Sequence, residues 1–179
     1  SKEEKLDKKL KEAERTIREN IKENRESLER ARKTLEENIR NNEDSLRRVE
    51  EEVRRIIEEI RDDEELVRRA EDVVRKLRKL VEDSVRDSER IMEEIERLVR
   101  DSVRKSEELV ERIKRLVEEG GEDVDDILRR IEEILRRSHR LSKEVNKRIK
   151  ELLDRSHELS KRVNDELDKV LKEIRREAK

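Results

Sequence analysis

Nowhere in its 179 residues does this chain offer a proline, and its two glycines stand side by side at Gly120-Gly121. Turns need residues that tolerate unusual backbone angles or interrupt a hydrogen-bond ladder, and proline and glycine are the strongest of these. A chain with so few breaks is confined to a small number of very long elements. Apolar positions recur three and four residues apart rather than alternating, so those elements are helices. A second break is predicted at Asp62-Asp63, where Asp62 and Glu65 have the spacing of a capping box. Ser1 and Glu4 repeat that spacing at the start of the chain. After Gly120-Gly121, which suits a glycine C-terminal cap, Glu122-Asp123 supplies an acidic helix start. Three helices are predicted, over about residues 2–61, 64–119 and 123–177, each roughly 80–90 Å long at the standard rise. The expected fold class is all-α, an up-down-up bundle of three long, nearly straight antiparallel helices forming one domain over 1–179.

A period of 18 residues runs through all three segments. In the first, Thr16, Asn20, Asn24, Ser27 and Leu28 recur as Thr34, Asn38, Asn42, Ser45 and Leu46. In the second, Asp83-Ser84-Val85 and Ser88 recur as Asp101-Ser102-Val103 and Ser106. In the third, Ser138-His139, Leu141-Ser142 and Asn146 recur as Ser156-His157, Leu159-Ser160 and Asn164. Such a period is about five helical turns, so the pattern stays on one face. Placed around a wheel, the uncharged residues form a stripe about 140° wide, broad enough to touch two neighbouring helices. A lone solvated helix has no use for that stripe.

Composition says what fills it. The chain has no aromatic residue and no cysteine, and 57% of it is charged, against roughly 25% in a typical domain. The core is therefore aliphatic, with no disulfide, and Asn, Ser and His are interspersed in it. If the first two helices turn about Asp62-Asp63, residues at one height have numbers adding to about 126. Asn42 with Ser84, Asn38 with Ser88, Asn24 with Ser102 and Asn20 with Ser106 all satisfy this. For the second and third helices, turning about Gly120-Gly121, the figure is about 241, met by Ser84 with His157 and Ser102 with His139. Two triplets close: Asn24–Ser102–His139 and Asn42–Ser84–His157. Ser138, Ser142, Ser156 and Ser160 lie in the same stripe of the third helix. An unpaired buried polar group costs about 1–3 kcal/mol; gathering amides, hydroxyls and imidazoles at one height supplies donors and acceptors together. Two network layers about 27 Å apart are expected, penalising helix pairings that would misplace them.

The histidines admit two readings. Each completes a layer, or each is also an acid switch, because a protonated imidazole only donates and so loses its acceptor nitrogen. The aliphatic stripe, the repeated Asn/Ser/His layers and the charged surface together resemble computationally designed helical bundles with buried hydrogen-bond networks, including designed histidine-network assemblies that respond to pH. The resemblance covers the whole chain and is to a class of proteins. It implies a structural scaffold with no natural biochemical function. A subunit of a designed homo-oligomer, a filament or a heteromeric pair is the alternative.

Other functions find little support in the residues. Fifty basic residues nearly balance 52 acidic ones, the signs are interspersed, and no basic run stands out that would release counterions from nucleic acid. No apolar run is long enough for a membrane span, and no targeting signal is visible. Two histidines about 27 Å apart cannot share a metal or a catalytic site. There is neither an HExxH helix nor a glycine-rich phosphate loop. No enzyme activity, metal, cofactor or small-molecule substrate is expected, and no partner is required beyond copies of the chain itself.

Overall fold

The structure, a computed structural model, describes residues 1–120 and 123–179; Gly121 and Glu122, part of the anticipated second turn, lie outside the described residues. The described residues form three helices: α1 (Lys2–Glu59), α2 (Glu64–Glu119) and α3 (Val124–Ala178). All three pack against one another as a bundle.

Each helix begins on a side chain that accepts an otherwise unpartnered backbone N–H. Ser1 Oγ accepts from the Glu4 N–H at 3.2 Å. Asp123 Oδ1 accepts from the N–H groups of Asp125 and Asp126, at 3.1 and 3.3 Å. At the start of α2 the cap is Asp63, not Asp62: Asp63 Oδ1 accepts from the Leu66 N–H at 3.1 Å and its carbonyl from Val67 at 3.0 Å. The Asp63 N–H bonds to the Ile60 carbonyl at 2.8 Å, which tightens the turn and moves the cap one residue on. Leu66 then stands where a capping box needs a carboxylate or amide, and Glu65 pairs with Arg69 instead. Gly120 closes α2 with φ of 41°, the left-handed conformation that glycine adopts without steric cost.

Contacts gather into two compact units, each drawing a segment from every helix. Unit 1 is Ser1–Ala31 with Glu93–Glu151, and unit 2 is Arg32–Met92 with Leu152–Lys179. The core of unit 1 sets Ala13, Ile17 and Ile21 of α1 against Leu109 and Ile113 of α2 and Ile127 and Ile131 of α3. That of unit 2 sets Val49 and Val53 against Leu77 and Val81 and against Val163, Leu167 and Leu171. Fully burying one such side chain contributes about 1.5–3 kcal/mol, and this aliphatic burial dominates the stability. No large hydrophobic residue is exposed among the described residues.

The charged faces support the helices locally. Asp-x-x-Arg recurs as an ion pair at Asp83–Arg86, Asp87–Arg90, Asp101–Arg104 and Asp126–Arg129, each worth a few tenths of a kcal/mol at most. Pairs also cross between helices within a unit. Arg148 reaches Glu94 at 2.9 Å and Arg78 reaches Glu50 at 3.2 Å. Hydrogen bonds to those carboxylates raise both guanidinium pKa values above their ordinary range, so both stay cationic at any working pH. Solvent exposure keeps their contribution to stability small.

Candidate functional site: hydrogen-bonded polar layers

The polar residues of the stripes meet in two sets, one in each unit. Both sets are built by the same rule. In unit 1, Asn24 is the hub: its Nδ2 donates to Ser102 Oγ on α2 at 2.9 Å, and its Oδ1 accepts from Ser142 Oγ on α3 at 3.2 Å. One amide thereby ties three helices. A turn away, Asn20 Nδ2 donates to Ser138 Oγ at 3.0 Å, and on the other side Ser27 Oγ donates to Asn146 Oδ1 at 3.1 Å. Asn24, Ser102 and Ser138 are each 1% exposed, where an unmade hydrogen bond is most costly.

In unit 2 the hub is Asn42, one period on. Its Nδ2 donates to Ser84 Oγ at 3.3 Å and its Oδ1 accepts from Ser160 Oγ at 3.0 Å. Asn38 Nδ2 donates to Ser156 Oγ at 2.9 Å. The third bond does not recur. Asn164, the counterpart of Asn146, has its Oδ1 buried without a hydrogen-bond partner, while Ser45, the counterpart of Ser27, accepts from Arg48 at 3.5 Å. Asn20–Ser138, Asn24–Ser142, Asn38–Ser156 and Asn42–Ser160 all join residues 118 apart in number. Within each unit, α1 and α3 therefore run parallel in one register, with α2 antiparallel to both.

The sequence matched the Asn hubs of α1 to the right serines of α2 but gave the histidines the wrong partners. His139 is exposed and does not join Asn24 and Ser102; the third member is Ser142. His157 is exposed as well, and its Nδ1 lies 3.4 Å from Asn38 Nδ2, not beside Asn42. The reason is height as well as direction: in the register of 118, His139 stands level with Ile21 and His157 with Ile39, three residues short of Asn24 and Asn42. Ser142 stands three residues beyond His139, about 60° around the helix, and that rotation separates the buried face from solvent. Ser142 and Ser160 are buried there, whereas both imidazoles are exposed and that of His157 reaches back to Asn38. Ser88 and Ser106 are buried, at 4% and 2% exposure, but among the described residues neither hydroxyl bonds to Asn38 or Asn20.

No protein-family model, curated protein or solved structure matches this chain. Its chemistry is therefore read from the layers themselves. The bonds join amides and hydroxyls, each type donating in some and accepting in others, and they fix positions. No group of three or more His, Asp or Glu side chains that could hold a metal ion occurs among the described residues. Among the described residues, no helix is long and apolar enough to cross a membrane.

Proposed function

We infer that this chain is a designed structural scaffold in which the Asn/Ser layers select the register of the three helices, and that it carries out no catalysis. The observation that carries this reading is the recurrence, one period apart, of an Asn hub bonded to a serine on each of two other helices: Asn24 with Ser102 and Ser142, Asn42 with Ser84 and Ser160. An aliphatic stripe alone tolerates sliding, because one Leu or Ile packs much like the next. A buried amide does not, since each partner it loses costs about 1–3 kcal/mol. The absence of exposed large hydrophobic side chains among the described residues favours a self-sufficient chain over an obligate subunit, and sedimentation should return the mass of one chain.

Disulfide trapping tests the register role directly, since the sequence has no cysteine to interfere. Ser27→Cys with Asn146→Cys reports the native register. Ser27→Cys with Lys150→Cys reports a slip of one turn. With both hubs intact, only the first pair should close. With Asn24→Leu, Asn42→Leu and their four serines changed to Ala, the second pair should close as well. If the stripped protein still closes only the first pair, the layers do not set register.

An acid response is a finer reading that rests on His157. Its Nδ1 accepts from Asn38 only while unprotonated; protonation would set two donors face to face. Because the ring is exposed, the loss should stay below about 1 kcal/mol. It should vanish in His157→Asn when urea unfolding at pH 7.5 and 5.5 is compared. An equal loss in parent and variant would remove the histidine from the account.

A further inference from the structure

The surface charges depart from the repeat in one region. In unit 1, Arg148 of α3 pairs with Glu94 of α2. One period towards Gly120, the corresponding residues are Arg130 and Arg112, so an ion pair has become two like charges. The inversion continues along α3, where Asp154 and Glu158 have Arg136 and Arg140 as their counterparts. These four arginines, with Arg115 and Arg137, line one open groove between α2 and α3 of unit 1, enclosing about 770 Å³ over Leu116 and Ile134. Among the described residues, Glu119 and Glu133 are the acidic residues of its lining. Asp126 engages Arg130 at 3.3 Å. Among the described residues, the other five guanidinium groups have no ion pair.

From this groove we propose a binding site for a compact polyanion, a short inorganic polyphosphate chain. Guanidinium groups grip phosphate oxygens with two parallel N–H bonds, and they remain charged at every relevant pH. Arg130 and Arg140 lie about 15 Å apart along α3, a span that several linked phosphates bridge and a single tetrahedral anion does not. The volume is that of a small-ligand site. Water screens the like charges at modest cost while the site is empty. The sequence concealed the cluster because its arginines come from two helices and never form a run.

The test is calorimetric titration of the full chain with inorganic tripolyphosphate at low ionic strength. One saturable site is expected, weakening as salt rises, with orthophosphate at least about tenfold weaker. The triple variant Arg112→Glu, Arg136→Asp and Arg140→Glu restores the charges of the neighbouring period. It should lose affinity by about tenfold or more while circular dichroism stays unchanged, because all three side chains are exposed. A control with the same change of net charge, Arg55→Glu, Arg68→Glu and Arg176→Glu, should bind as the parent does. The proposal is overturned if the parent shows no saturable binding, or if the control loses as much as the triple variant. It is overturned equally if a DNA duplex binds more tightly than tripolyphosphate through the same three arginines.

Discussion

Asn24 has one amide with which to satisfy two serines, and its substitution should show how unequal partial and complete removal of a polar cluster are. Asn24→Leu leaves Ser102 buried without its donor and Ser142 without its acceptor, and should cost about 1–3 kcal/mol in urea unfolding. Asn24→Leu with Ser102→Ala and Ser142→Ala removes every stranded group and should recover most of that loss. The repeat supplies a second, internal comparison. Asn146 accepts a hydrogen bond from Ser27, whereas the Asn164 carbonyl is buried without one. Asn146→Leu should therefore destabilise, and Asn164→Leu should be neutral or stabilising by up to about 1 kcal/mol. Equal effects at the two positions would mean that the repeat is energetically as regular as its sequence. On α3 the height was three residues out, since Ser142 and Ser160 rather than His139 and His157 stand level with the hubs. For α1 against α2 it was legible in the sequence, because Asn24–Ser102 and Asn42–Ser84 obey the arithmetic of helix rise. Side-chain direction was not. A residue at the margin of a wide stripe can face the interface or the solvent, and the difference between His139 and Ser142 lies in the final packing.

At the scale of the helices, the sequence announced the elements through what it lacks. With no proline and one glycine pair, the chain could end a helix in few places, and α2 was placed from Glu64 to Glu119 without error. The start of α2 was harder, because Asp62 and Asp63 are equally competent caps by type. A backbone bond, Asp63 N–H to the Ile60 carbonyl, decides between them. Asp63→Ala should accordingly cost about 1 kcal/mol of stability, and Asp62→Ala much less. Two chemical-denaturation curves distinguish them, and a larger effect at Asp62 would reassign the cap. Gly120 makes a parallel case at the other end. Its positive φ leaves room for a Cβ, with the nearest heavy atom 3.8 Å away, so the penalty of Gly120→Ala is conformational rather than a clash. About 1 kcal/mol is expected in thermal unfolding.

For the molecule as a whole, aliphatic burial and polar layers do different work, and their magnitudes should separate. Leu167→Ala, at a fully buried position in the core of unit 2, should cost about 2–5 kcal/mol. Asn42→Leu in the same unit should cost less, since it adds apolar burial while stranding two serines. A larger loss from Asn42→Leu, measured by the same unfolding assay, would invert that ranking. What the layers govern instead is where the helices come to rest. Asn20 and Asn24 are four residues apart, and so are their partners Ser138 and Ser142. Move α3 by one turn and Ser138 meets Asn24, while Ser142 arrives at Leu28 and Asn20 faces no hydroxyl. Half the teeth still mesh. Intermediate displacements engage none, so the helices behave as a ratchet with discrete stops about 6 Å apart, and any misassembled form should differ from the native one by whole turns rather than by a continuous drift.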